Sequence, residues 1–142
     1  MSGFVDKVER LPRTFLTERA QGKPARRSVD GPTEEEIHRS VIAWLERRGA
    51  DRVFFFHVPN GEIRHRGAAG KLKAMGTRAG VPDLVLIRDG HAYGLEIKAA
   101  GGRQSPAQRN VEQQWERAGA TYAVTHGLDY ALDQLREWGL LE

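Results

Sequence analysis

The chain has 142 residues, 39% of them apolar, and 22 Lys and Arg against 19 Asp and Glu, for a net charge of +3. That length allows one domain with a small core. The lack of cysteine excludes a disulfide framework and a thiolate zinc site, and no opening apolar run reads as a signal peptide or membrane span, so a cytoplasmic protein is expected.

Residues 1–31 carry seven Lys and Arg against four acids, with few apolar residues, and read as a flexible basic arm ahead of a domain spanning 32–142. In "PTEEEIHRSVIAWLERRGA" Thr33 followed by Glu36 makes a capping box, and Gly49 supplies a stop, which predicts a helix over 33–48. "RVFFFHV", residues 52–58, is β-branched and aromatic and predicts a strand. The Gly-rich, basic stretch from 57 to 80 reads as a long loop. "GVPDLVLIRDGHAYGLEIKAA", residues 80–100, reads as two strands around an Asp-Gly turn. Ser105 at a cap with Pro106 behind it opens a second helix, "TYAVTH" is a short strand, and "LDYALDQLREWGLL" a closing helix. The order αβββαβα fits an α/β domain, a central mixed β-sheet flanked by helices, with strands 91–98 and 121–126 made parallel by the helix between them.

Three charged residues intrude on the hairpin: Asp83, Glu96 and Lys98. If Asp89-Gly90 is a two-residue primed turn, Arg88 opposes His91 and, stepping outward, Asp83 opposes Glu96, with Lys98 on the same face. Opposed Cβ atoms lie about 4.5–5.5 Å apart, and like charges so placed repel. A divalent cation relieves that repulsion, and Mg²⁺ takes one or two carboxylates while keeping waters and phosphate oxygens. Lys98 is then placed to position or deprotonate a water, or to neutralise charge on a phosphate. The plainer alternative, in which Asp83 starts a strand and Glu96 and Lys98 lie on a solvated face, stays open, since a bulge at 89–91 would shift the register.

At about 100° per residue, Ile37, Val41, Trp44 and Leu45 cluster on the side of Glu34, while Glu35 and Glu36 point away. All three acids favour a helix N-terminus, but Glu34 alone lies on the inner stripe, which makes it a third acid near the metal, with His38 one turn on. Gln108, three residues after Ser105, reads equally as the second half of a capping box. Basic Arg64, Arg66, Lys71, Lys73 and Arg78, with His57, face the single acid Glu62 across the stretch 57–80 and suit phosphate contact, a solvated loop being the alternative. His57 could equally be a satisfied core histidine. No helix presents an obvious base-reading face, so contact with a phosphate backbone or its shape, and not with base edges, is expected.

Together "GVPDLVLI", "YGLEIKAA", "SPAQRNVEQQWERAGATYAVTHG" and "HVPNGEIRHRG...LKAMGTRAG" resemble the VRR-NUC domain of the PD-(D/E)XK nuclease superfamily, in its small stand-alone form from phages and prophages. The likeness covers roughly residues 33 to 138. It implies a restriction-endonuclease-like core and Mg²⁺- or Mn²⁺-dependent phosphodiester hydrolysis by Asp83, Glu96 and Lys98 with Gln108 and Glu34. The Ile97 or Ala99 carbonyl would complete a metal shell. Many relatives carry Gln where this chain has His38. The resemblance further implies homodimers acting on branched or flapped, non-B-form DNA. The rival from another class is a non-catalytic DNA-binding or packaging accessory that retains the fold, against which the complete acid set speaks. RNA cleavage by metal-free His/Tyr/Lys chemistry is a second rival.

Overall fold

The structure, a computed structural model, describes residues 31–59 and 66–142, the first four of the latter stretch by backbone alone. The expected basic arm, up to residue 30, lies outside the described residues, as do Arg64 and the side chain of Arg66.

Helix α1, Glu34–Arg48, opens on the expected capping box: the Glu36 N–H donates to Thr33 Oγ1 at 3.2 Å and the Thr33 N–H to Glu36 Oε2 at 2.8 Å. Gly49 ends it through an N–H bond to the Leu45 carbonyl, though at φ −56° rather than in the left-handed region. Ile37, Val41 and Leu45 bury their side chains as the stripe predicts, but Trp44 stays 39% exposed, on the flank under the Arg136 guanidinium.

Strand β1, Phe54–His57, is followed by helix α2, Arg66–Ala74. Here the expected long loop is corrected. Ala68, Ala69, Leu72 and Ala74 favour helix, and the interleaved Gly67 and Gly70 obscured that preference without abolishing it. Strands β2, Leu84–Arg88, and β3, His91–Lys98, then pair through a turn in which Asp89 and Gly90 both have positive φ, 50° and 76°, the mark of the primed type. Helix α3, Pro106–Arg117, crosses over to β4, Thr121–His126, and helix α4, Leu128–Glu137, closes the chain.

The sheet has the order β1-β2-β3-β4, antiparallel twice and then parallel between β3 and β4, as a helical crossover demands. Arg88 pairs with His91 and Leu84 with Leu95, so the turn sets the predicted register. On one face Leu84, Leu86, Leu95 and Ile97 meet Ile37, Val41 and Leu45 of α1 and Ala131, Leu132 and Leu135 of α4 in the core. Each such fully buried chain contributes roughly 1.5–3 kcal/mol. The other face is covered by α3 over β3 and β4, where Trp115 packs on Tyr122 and donates its Nε1–H to the Thr121 carbonyl. A Cβ on Gly94 would stand 2.8 Å from the Pro82 ring and 3.2 Å from the Trp115 ring, so only glycine admits both. No helix among the described residues is long and apolar enough to cross a membrane.

Candidate active site at the strand ends

The last ladder pair before the open end of the hairpin is Leu84 with Leu95, and the same register carries Asp83 to Glu96 one step beyond. Asp83 sits there after Pro82, where the strand has not yet begun, and its carboxylate takes over the ladder: Oδ2 accepts the Ile97 N–H at 2.9 Å. Its carbonyl accepts the Val58 N–H at 3.0 Å and lies 2.8 Å from His57 Nδ1. A carbonyl offers only lone pairs, so His57 carries its proton on Nδ1 and, when neutral, presents Nε2 as an acceptor. Asp83 is thereby held from both neighbouring strands.

Glu96 is 1% and Lys98 8% exposed, both on β3. Lys98 Nζ lies 3.1 Å from Glu96 Oε1, and Gln108 Nε2 donates to that same oxygen at 2.5 Å. Glu96 Oε2, equally buried, has no hydrogen-bond partner. Burial pushes the Glu96 carboxyl up to about 7, with the Asp83 charge acting the same way and the Lys98 hydrogen bond and charge opposing them. Tyr122 pairs with Gly94 across the β3–β4 ladder, and its buried hydroxyl faces the Gln104 side chain. Its phenol is raised by burial first and by Glu96 second.

Gln108 completes the capping box and also reaches Glu96. Its Oε1 accepts the Ser105 N–H at 2.7 Å, and its N–H donates to Ser105 Oγ at 3.1 Å, while Nε2 reaches Glu96. The capping box therefore aims the amide into the carboxylate. Gly80 allows α3 to start so close: with φ +85°, a Cβ there would lie 2.5 Å from the Ala107 carbonyl.

Beside this pair opens a cleft of about 420 Å³ lined by Glu34, Glu35, His38, Arg39, His57, Asp83 and Ile97. Glu34 thus lines the same cleft as Asp83, as its helical direction implied, but Glu35, expected to point away, lines it too, because the cleft reaches round the exposed start of α1. Glu35 is turned to Arg39, at 2.7 Å. Glu96 is not in the lining. It is drawn inward by Lys98 and Gln108, and no three His, Asp or Glu side chains among the described residues converge closely enough to hold an ion unaided. Asp83, the second Glu96 oxygen and the Ile97 carbonyl are nonetheless hard oxygen donors of the kind that fits a cation keeping most of its waters.

His38 and His57 stack edge to face, ring centroids 4.5 Å apart. Burial lowers the His38 imidazole, His57 lowers it further, and Asp83 opposes both. Nineteen residues separate these histidines, so no local pattern could foretell their contact. Likewise the loop after β3 brings Gly102 against Glu34 and Lys98, where a Cβ would lie 3.3 Å from each side chain. His126 Nε2 holds that loop through the Gly102 carbonyl at 2.9 Å. Of the expected phosphate-binding residues, Lys71, Lys73 and Arg78 are exposed, and Arg78 Nη2 donates to Gln114 Oε1 at 2.6 Å.

No protein-family model and no curated protein sequence matches the chain. Among solved structures it is similar to one described as "VRR_NUC domain protein", with TM-score 0.62 and 27% identity over 76% of this chain and 88% of that one. A second, "VRR_NUC domain", has TM-score 0.51 and 16% identity over 75% of this chain and 97% of that one, a likeness of fold alone. The α/β architecture, a four-stranded mixed sheet flanked by helices, is that of this restriction-endonuclease-like fold.

Proposed function

We propose that the chain is a VRR-NUC domain nuclease of the PD-(D/E)XK superfamily, a divalent-metal-dependent DNA endonuclease. The observation that carries this reading is the Asp83–Glu96 pair at the open end of the hairpin, with Lys98 and Gln108 both on one Glu96 oxygen and no donor on the other. Burial first and the neighbouring Asp83 charge second raise the Glu96 carboxyl, and a hard cation would offset both the lost solvation and the repulsion.

Asp83, Glu96 and the Ile97 carbonyl would hold Mg²⁺ or Mn²⁺. When bound, such an ion supplies Lewis-acid stabilisation of the phosphate and lowers the pKa of an attached water. The protein's own residues do the rest. His57 and the Ile97 N–H hold Asp83 in place. Gln108 orients Glu96. Lys98, once Glu96 turns toward the cleft, is placed to position the attacking water or neutralise charge on the phosphate. Glu34 lies across the cleft as the assisting acid. His57, Lys71, Lys73 and Arg78, with Arg64 and Arg66, would contact the DNA backbone.

Branched, flapped or junction DNA as the preferred substrate, a homodimeric state, a phage or prophage origin and action in the bacterial cytoplasm complete the proposal and rest on the resemblance. The deciding experiment incubates the pure protein with linear, flapped, splayed and four-way DNA and Mg²⁺ or Mn²⁺. Cleavage is expected, lost in EDTA and in Asp83→Ala, with DNA binding by that variant largely retained. Undiminished cleavage by Asp83→Ala would sink the assignment, and no cleavage of any substrate would favour the non-catalytic accessory.

A further inference from the structure

Two phenylalanines stand in solvent on the sheet face to which the register assigns Asp83 and Glu96, across the sheet from the α1, His57 and Ile97 side chains that line the cleft. Phe54 and Phe56 alternate with the packed Phe55 along β1, are 65% and 42% exposed, and have ring centroids 6.0 Å apart at 49°. Phe54 opposes Ile87, itself 38% exposed, and Phe56 opposes Val85. Opposed residues share a face and alternate residues repeat it, so the row Ile87, Val85 continues to Asp83, and across β3 to Gly94, Glu96 and Lys98. The platform also adjoins the site along the chain. The two residues after Phe56, His57 and Val58, are those that hold the Asp83 carbonyl.

The patch is small, and what distinguishes it is the pair of neighbouring aromatic rings on the strand that holds Asp83. A second copy of the chain suits it poorly: two partly exposed rings and Ile87 offer on the order of 200–300 Å², against about 800 Å² per partner in a standard interface. Unpaired bases suit it well. They present flat apolar faces that stack on aromatic side chains for roughly 1–3 kcal/mol each and without sequence preference, whereas paired bases inside a duplex have no free face to give. Flat rings on an open strand beside a proposed phosphodiester site therefore select for DNA that is locally single-stranded.

We propose that Phe54 and Phe56 form a stacking platform for unpaired bases of the substrate, which places a single-stranded segment beside the scissile phosphate. This rests on the reading of the site as one that acts on DNA.

The test is fluorescence anisotropy with labelled oligo-dT and with a blunt duplex of equal length, in EDTA so that binding is read without turnover. Phe54→Ala and Phe56→Ala should each weaken oligo-dT binding by about 10-fold and leave duplex binding within about 2-fold. Phe56→Trp should restore strand binding and Phe56→Leu, apolar but not flat, should not. Equal losses on strand and duplex, or full recovery with leucine, would overturn the platform. So would alanine variants that bind DNA normally but fall in mass on light scattering, since the face would then belong to a second copy. Wild-type protein that binds neither DNA form would instead overturn the nuclease reading itself. Both rings are exposed, so thermal unfolding of every variant should match the wild type.

Discussion

Gln108 ties the start of helix α3 to Glu96: one end of its amide accepts the Ser105 N–H while the other donates to the carboxylate. Loss of the cap alone costs about 1 kcal/mol. Loss of a donor to a buried charged group adds roughly 1–3 kcal/mol. Ser105→Ala should therefore lower stability by about 1 kcal/mol and Gln108→Ala by about 2–4. Urea unfolding of the two variants measures the gap, and equal losses would mean that the bond to Glu96 contributes nothing.

The raised Glu96 carboxyl makes stability depend on pH. Its folded value, about 7, exceeds the ordinary 4.5, so the folded state binds this proton more tightly than the unfolded one. The resulting stabilisation is complete below about pH 4.5 and is lost as pH rises through about 7. At roughly 1.4 kcal/mol per unit, about 3 kcal/mol is at stake. In metal-free buffer Glu96→Gln should remove this fall, so that its advantage over the wild type grows between pH 5 and pH 8. Denaturation at four or five pH values across that range would show it, and parallel curves would count against it.

Metal binding should reverse the same loss. A ligand present at about 100 times its Kd stabilises the folded state by about 2.7 kcal/mol. With millimolar Mg²⁺ or Mn²⁺ the wild-type unfolding temperature should rise by several degrees, more at pH 8 than at pH 5.5, where a proton competes for Glu96. Asp83→Asn and Glu96→Gln should show little or no rise. Differential scanning calorimetry reads this without any nuclease assay.

Gly80 and Gly90 both hold positive φ, but only Gly80 is crowded, its missing Cβ facing the Ala107 carbonyl and the Gln108 nitrogen. Gly90→Ala bears the backbone strain alone and should cost about 1–2 kcal/mol. Gly80→Ala must in addition push α3 outward, for about 1–3 kcal/mol more. It should also weaken the stabilisation by metal described above, because Gln108 moves with the helix. Comparing the two variants by calorimetry, with and without Mn²⁺, separates strain from displacement.

Much of this molecule was legible in its residues because the decisive signals are local. Thr33 with Glu36, Ser105 with Pro106, and Asp89 with Gly90 each mark an element boundary by chemistry within four residues, and all three are found where expected. The turn in particular carried the register from Arg88–His91 outward to Asp83 and Glu96. Helix α2 was missed because its glycines resemble loop composition, although the alanines and Leu72 between them suffice for helix. The inward turn of Glu96 away from the cleft could not be foreseen, since it depends on Lys98 and on a Gln108 delivered by a different element. The meeting of His38 with His57 joins a helix to a strand, a contact that no sequence period encodes.

The Asp89-Gly90 turn has a further consequence for how this gene can vary in length. Side chains alternate along β3, so one residue inserted or deleted between β2 and β3 would slip the ladder by one and exchange the two faces. Leu95 and Ile97 would leave the core, and Glu96 and Lys98 would be driven into it. Insertions at this hairpin tip should therefore be purged even though the tip is exposed and its only ion pairs, from Asp89 to Arg52 and Arg88, lie far from the acids, while substitutions that keep two residues with positive φ should pass. Asn-Gly would be such a replacement. The position most remote from the acids along the hairpin is thus the one whose length they can least tolerate changing.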